Sequence, residues 1–251
     1  MAAGPVVDEL ANEYLRAGKS VPFLEHNVDA TVGNRYDRWT AAYGGSAPAD
    51  TGVPLDIVDS GYRASYGWVD FRTEYRAMVE AALERPAGAE IYAGYTREAD
   101  NIELTAAVTN RSGTTLNLWN SATLHVLVWE RAAVIHTERF VRAGTAGAIS
   151  ADLPDGQTAT FRLRLEDVPV TQWQMASVLV LLDYRPDQGS TKYDMLQAVV
   201  AVEGAVPTRT PIPTITPTRT ATPTPTPGPS PTPTEPLPGT PIYLPRLDTG
   251  L

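Results

Sequence analysis

The chain offers few side chains that could do covalent or metal chemistry. It has no cysteine and three histidines, His26, His125 and His136. Without a thiol, these residues can form no disulfide, no thiolate metal site and no thiolate nucleophile. The histidines fall in different predicted elements and lack the H-E-x-x-H spacing that places two imidazoles on one helix face. We therefore expect no catalytic residue, no metal site and no cofactor, and a structural role for each histidine.

Two further patterns could bind a ligand. Asp152 and Asp155 stand in the segment DLPDGQT, which lacks the alternating oxygen ligands of a calcium loop and has the Pro-Asp-Gly sequence of a β-turn. Trp119 and Trp129 could together form a platform for a sugar ring, or could instead belong to the core or to a sheet face. The sequence contains no P-loop, no G-x-G-x-x-G and no G-x-S-x-G motif.

Charge and hydropathy exclude several classes of partner. The formal net charge is −9 at pH 7, so the chain lacks the excess of basic residues that nucleic-acid-binding proteins carry. The same charge disfavours binding to anionic membranes. No run of 18 apolar residues is present, so no membrane span is predicted. The partner we expect is a protein or a glycan, and the sequence does not identify it.

Residues 205–251 differ in composition from the rest of the chain. Fourteen of the 22 prolines lie between residues 207 and 245, many of them alternating with threonine. Such a segment has too few backbone donors and too little apolar mass to offset its ordering entropy, so it is predicted to be a disordered tail. A second interpretation is an O-glycosylated polyproline II spacer of about 3.1 Å per residue.

The segment 1–86 alternates between helix and strand patterns. Pro5 suits the first turn of a helix, and Asp70 suits an N-cap. Apolar spacing, turn signals and these caps predict, in chain order, a helix over 5–17, a strand over 20–29, a helix over 34–45, a hairpin over 51–67 and a helix over 69–86.

This order resembles the thioredoxin fold without its first strand. The four stretches that carry the resemblance are PVVDELANEY (5–14), VPFLEHNVD (21–29), RYDRWTAAYG (35–44) and GVPLDIVDSG (52–61). The resemblance implies that Val53–Pro54 is the cis-proline loop of that family, here vestigial. It also implies a C-x-x-C motif just before the first helix, at a place upstream of Met1.

Two functional hypotheses follow from this resemblance. In the first, the chain is a non-catalytic, extracytoplasmic protein with a thioredoxin-like domain and a β-sandwich, and it has a binding or cell-envelope role. In the second, it is a fragment of an envelope thiol–disulfide oxidoreductase whose first strand and C-x-x-C lie upstream of Met1. An upstream reading frame that encodes a strand followed by C-x-x-C would support the second hypothesis, and a stop codon or unrelated sequence there would contradict it.

From residue 89 onward the pattern becomes that of an all-β domain. Apolar and polar residues alternate in seven short runs over 89–204, with turn signals between them, which predicts a β-sandwich of Ig-like dimensions. The predicted organisation is thus a thioredoxin-like α/β domain over 1–86, a sandwich over 89–204 and a tail over 205–251. The runs are EIYAGYT, NIELTAAVTN, TLHVLVWERA, IHTERFVRA, TATFRLRLE, ASVLVLLDYR and DMLQAVVAV.

A thioredoxin-like domain followed by a β-rich domain is similar to a family of bacterial outer-membrane-associated envelope proteins. The stretch YDMLQAVVAV (193–202) resembles the last strand of such a β-rich domain. The Thr/Pro-rich segment that ends in IYLPRL resembles tails on exported proteins of some filamentous bacteria. These resemblances imply an extracytoplasmic or secreted location.

Overall fold

The computed structural model describes residues 3–26, 38–39, 42, 54–67 and 70–204. Within these residues the chain is built mostly of β-strands in sheets, with few helices. No helix in this part of the chain is long and apolar enough to cross a membrane. The predicted tail over 205–251 lies outside the described residues.

The described residues contain twelve helices and strands whose bounds are defined. Two short 3₁₀ turns, Asp59–Gly61 and Trp173–Met175, lie between them. The elements are α1 (Ala3–Arg16), β1 (Leu55–Val58), β2 (Arg63–Tyr66), α2 (Phe71–Leu83), β3 (Ala89–Glu98), β4 (Asn101–Asn110), β5 (Thr123–Glu130), β6 (Phe140–Ala148), β7 (Thr158–Leu165), β8 (Ala176–Tyr184), β9 (Asp194–Val200) and β10 (Val202–Glu203).

Both helices that the structure describes in full agree with the sequence prediction. The Asp70 side chain accepts a hydrogen bond from the Thr73 N–H at 3.4 Å, which caps α2 as expected. On the apolar face of α1, Val6, Leu10, Ala11 and Tyr14 are buried, Val7 is half-buried and Leu15 is 67% exposed. Of the predicted helix over 34–45, Arg38, Trp39 and Ala42 are helical and the rest lies outside the described residues.

Eight strands form two four-stranded sheets that share one core. The first sheet has the order β10-β3-β4-β7 and the second β6-β5-β8-β9, and every pairing is antiparallel except β10 with β3. Each of the seven predicted runs contains a strand. Alternate side chains of both sheets meet in the core, among them Ile102, Leu104, Val126, Val180 and Leu182.

The run that contains β6 differs from its prediction at both ends. Residues 135–139 form no strand, and β6 starts only at Phe140. The predicted run ends at Ala143, but the strand continues to Ala148. Gly147 fits there because a Cβ at this position would lie 3.1 Å from Leu163 Cδ2 of the facing sheet. The glycine permits close packing of the sheets rather than marking a turn.

The predicted strand over 20–29 is wrong for residues 20–24, which adopt no regular structure. Glu25 instead makes a single parallel bridge to Phe140. Its N–H donates to Arg139 O at 2.8 Å, and its carbonyl accepts the Val141 N–H at 3.0 Å. Pro22 has no N–H to donate to a ladder, which opposes a strand here. The segment therefore extends the edge of the second sheet at one residue, and positions 27–29 lie outside the described residues.

The helices form a second, smaller cluster with β1 and β2. Val6, Leu10 and Tyr14 of α1 pack against Tyr75 and Met78 of α2. Among the described residues, β1 and β2 pair only with each other. The thioredoxin-like arrangement and the domain boundaries at 86 and 89 stay predictions.

Candidate binding surface

The loop between β4 and β5 presents two large apolar side chains to water. We call residues 117–121 of this loop the tip. Trp119 is 77% exposed and Leu118 is 58% exposed. The tip lies at the end of the β-rich part where β5 begins and β8 ends.

Side-chain amides hold the backbone of the tip. Asn117 Oδ1 accepts hydrogen bonds from the N–H groups of Trp119 at 3.0 Å and Asn120 at 3.4 Å. In return, Asn120 Oδ1 accepts the Asn117 N–H at 3.0 Å, and Asn120 Nδ2 donates to Thr115 O at 2.8 Å. These reciprocal bonds form local turns of the kind that asparagine favours. The backbone that carries Trp119 is therefore fixed before any ligand binds.

Further bonds tie the tip to both sheets. Arg185, after β8, donates its N–H to Asn120 O at 2.7 Å. Asn117 Nδ2 donates to Asp152 Oδ1 at 2.8 Å, in the loop that leads to β7. Ser121 has φ of 53°, a left-handed conformation that is costly for a residue with a Cβ. The neighbouring contacts maintain this conformation.

A buried asparagine supports the same end of the two sheets. Asn110 is fully buried, and its Nδ2 donates to Thr114 O at 2.7 Å and Leu153 O at 2.8 Å. This role could not be predicted from the sequence, because nothing in the residues around Asn110 specifies its hydrogen-bond partners. The predicted turn at Asp155 is confirmed by the hydrogen bond from the Gln157 N–H to Pro154 O at 3.1 Å.

Trp129 does not join Trp119 in a common platform. Trp129 packs on the outer face of the second sheet, beside Leu127 and Leu179, and its Nε1 is buried. It lies near the end of β5, whereas Trp119 precedes Thr123 at the start of that strand. At about 3.4 Å per residue, the six-residue separation from Thr123 already spans roughly 20 Å.

A second polar cluster lies on the outer face of the second sheet. His125 Nε2 lies 3.1 Å from Asp183 Oδ1, and both side chains are only 2% exposed. An Arg38 Nη atom contacts the same carboxylate oxygen at 2.8 Å and His125 Nε2 at 2.7 Å. The guanidinium also lies over the Tyr193 ring, with Cζ at 3.9 Å from its centroid. The cluster is buried, so it connects structural elements rather than facing a substrate.

The other histidines are not brought to this cluster. His26 contacts the edge of Trp39 with ring centroids 4.7 Å apart. His136 donates its backbone N–H to the Glu25 carboxylate at 3.1 Å. Within the described residues, no three histidine, aspartate or glutamate side chains come together as a metal site would require.

The predicted cis-proline loop is described only in part. Val53 lies outside the described residues. Pro54 directly precedes β1, and its carbonyl accepts the Gly67 N–H at 3.0 Å, which closes the β1–β2 hairpin at its open end. The vestigial role of Val53 and Pro54 stays a prediction.

A cavity of about 250 Å³ lies where the α2–β3 connection meets the start of β9. On its charged side, Arg85 donates hydrogen bonds to Asp59 Oδ2 at 3.1 Å and to Asp194 Oδ2 at 2.6 Å. We call these three residues the clamp. The Tyr62 ring covers the guanidinium, with Cζ 4.0 Å from its centroid. One guanidinium thus bridges two carboxylates, and the clamp fastens the β1–β2 hairpin to the start of β9.

Comparisons with known proteins give weak likenesses. A domain of the outer membrane lipoprotein Omp28 from Porphyromonas gingivalis is 13% identical, with a TM-score of 0.30, over 48% of this chain and 93% of that domain. The sporulation control protein Spo0M from Bacillus subtilis is also 13% identical, with a TM-score of 0.29, over 48% of this chain and 51% of its own. A GH20 exo-β-N-acetylglucosaminidase from Vibrio harveyi is 11% identical, with a TM-score of 0.25, over 49% of this chain and 19% of its own.

The chain thus spans about half the length of Spo0M and about a fifth of the length of the glucosaminidase. No protein-family model and no curated protein matches it.

Proposed function

We propose that the chain is a non-catalytic binding protein that acts outside the cytoplasm, at the cell envelope, and that it holds its ligand with the tip. The observation that carries the proposal is Trp119, which is 77% exposed on a backbone fixed by hydrogen bonds. Tryptophan is enriched among the residues that dominate binding energy. Because the backbone that carries Trp119 is already fixed, little backbone freedom is lost on binding, which favours affinity.

The exposure of Trp119 argues against a purely structural role for this residue. A structural tryptophan buries its ring, and partly buried Trp173 does so by packing on the core and donating Nε1 to Asp100 at 3.2 Å. Trp119 has most of its surface in water, beside the exposed Leu118. The strained Ser121 and the paired asparagines maintain this exposure, as expected where strain serves binding.

In this proposal the helical part is a thioredoxin-like scaffold without redox chemistry. The 251 residues contain no cysteine, so they supply no thiolate for redox chemistry. The order of α1, the β1–β2 hairpin and α2 supports a thioredoxin-like origin. Two carboxylates of the N-terminal segment bind the loop before β6. Glu25 accepts the Thr137 N–H at 2.8 Å, and Asp8 accepts the Glu138 N–H at 3.1 Å.

An envelope location is supported by the Thr/Pro-rich segment over 207–245, whose composition suits a spacer between a folded part and a surface. The proposal predicts that the purified chain sediments with isolated envelopes of the organism that encodes it. Trp119→Ala should weaken this binding at least tenfold. Tyr66→Ala is the matched control, because Tyr66 is an aromatic residue on β2 with a similar exposure of 66%.

The proposed function is contradicted if the wild-type chain stays in the supernatant. The role of the tip is contradicted if Trp119→Ala sediments like the wild type, or if Tyr66→Ala loses as much binding. Circular dichroism of each variant shows that the fold is retained.

A further inference from the structure

We infer that the ligand of the tip is a neutral glycan. The inference rests on the proposed function and names the chemical class that the tip accepts. It is argued from the small apolar area of the tip, from the polar groups beside it and from the charge around it.

The exposed apolar area is too small for a stable protein interface. In the three loops that meet here, over 111–122, 149–157 and 185–193, Leu118 and Trp119 are the exposed large apolar side chains. A specific protein interface buries roughly 800 Å² on each partner around a water-excluding ring of contacts. An aromatic side chain buries about 150–250 Å². The tip therefore matches one or two sugar rings better than a protein surface.

The chemistry at the tip suits a sugar ring. One face of a pyranose is lined by C–H groups and can stack on the flat indole of Trp119, while its hydroxyl groups point outward from the ring edge. These hydroxyls need acceptors close to the aromatic face. Asp152 is an acceptor bonded to the tip: its Oδ1 accepts from Asn117 Nδ2 at 2.8 Å, and no residue that the structure describes donates to its Oδ2. A charged carboxylate acceptor forms strong hydrogen bonds to hydroxyl donors.

The net charge of the chain selects against anionic ligands and membranes. The whole chain carries a net charge of −9, and in the three loops Arg111, Arg185 and Lys192 are balanced by Asp152, Asp155 and Asp187, so the loops present no excess of positive charge that would attract an anion. Anionic polysaccharides and anionic lipid headgroups would be repelled. Two apolar side chains beside a carboxylate also give little insertion energy into a neutral bilayer. A neutral glycan meets neither obstacle.

The test treats the same envelope preparation in three ways before the protein is added. Mild periodate, then quenched, cleaves vicinal diols of sugars; protease removes exposed proteins; solvent extraction removes lipids. We expect sedimentation of the wild-type chain to fall at least tenfold after periodate and to survive protease and extraction. Asp152→Asn should reduce binding to untreated envelopes about threefold to tenfold, since a weaker neutral acceptor replaces the carboxylate.

Each outcome separates this inference from the proposed function. Binding that survives periodate but is lost after protease or extraction identifies a protein or membrane ligand, which overturns the inference and leaves the proposed function in place. Absence of binding to untreated envelopes overturns the proposed function itself. If the Asp152→Asn variant binds as tightly as the wild type, Asp152 does not recognise the ligand. The control is Glu166→Gln, which removes an exposed carboxylate in another loop.

Discussion

Arg38 donates a hydrogen bond to Asp183 at 2.8 Å, although 145 positions separate the two residues along the chain. The side chains are 10% and 2% exposed, so both charges are largely removed from water. The same guanidinium contacts His125 and donates to the Thr123 hydroxyl at 3.0 Å. A cation from the N-terminal part therefore neutralises a carboxylate on the outer face of the second sheet, and the two parts are coupled by this pair.

Arg38→Ala should lower the free energy of unfolding by on the order of 3 kcal/mol, because removing one member of a buried ion pair leaves the other without its counter-charge. Equilibrium unfolding in urea measures the change. Arg131→Ala is the control, since its ion pair with Glu138 is about half exposed and should contribute little. Equal effects of the two substitutions would show that the Arg38–Asp183 pair does not couple the two parts.

The elements that could be predicted from the sequence are those with local signals. The helix α1 follows from the spacing of Val6, Leu10 and Tyr14, and α2 follows from Asp70 and the apolar face behind it. The strands follow from alternation, because in a two-layer β structure every second side chain faces the core. Such patterns need only neighbouring residues.

The contacts that assemble these elements could not be predicted in the same way. Glu25 bridges to Phe140 at a sheet edge, and nothing in the residues around Glu25 specifies that partner. Trp119 was a candidate from its type alone. The fixed backbone of its exposed position depends on Asn117 and Asn120, whose pairing is set by the three-dimensional path of the loop.

Asp56 gives the protein an acid-dependent contribution to stability. Burial raises the pKa of its carboxyl from 3.8 to about 6, against the opposing effect of the Ile57 backbone hydrogen bond. Since the folded state holds the proton more tightly than the unfolded state, this contribution is full below about pH 4. It is lost as the pH rises through about 6, by at most about 1.4 kcal/mol per pH unit.

Asp56→Asn, which stays neutral, should therefore be more stable than the wild type at pH 7, and the difference should grow from pH 4 and level off near pH 7. Urea unfolding across this range measures it. Glu98→Gln, at an exposed position at the end of β3, should follow the wild-type curve. A constant difference between Asp56→Asn and the wild type would contradict the raised pKa.

Glu130 has the opposite pH dependence. Its side chain is 1% exposed, and burial alone would raise the pKa of the carboxyl. Hydrogen bonds from the Thr171 and Gln172 N–H groups and from Arg142 together hold the pKa below its usual range. The stabilisation is therefore present above about pH 4.5 and is lost as the pH falls below it.

Glu130→Gln should cost about 2 kcal/mol at neutral pH, because hydrogen bonds to a charged group are replaced by weaker neutral ones. The cost should shrink in acid as the wild-type carboxylate takes up a proton. Urea unfolding at neutral and acidic pH measures both effects. A cost independent of pH would indicate that the substitution acts by packing instead.

Gly4 sets the distance between α1 and the loop over 131–139. A Cβ at this position would collide with the carbonyl oxygen of His136. In an open helix, Gly→Ala stabilises by about 1 kcal/mol, whereas overpacking costs about 1–3 kcal/mol. We expect the collision to dominate, so that Gly4→Ala lowers the free energy of unfolding. It should also speed amide hydrogen exchange at Thr137 and Glu138, whose N–H groups donate to Glu25 and Asp8. A stabilised variant with unchanged exchange would show that α1 does not pack closely on this loop.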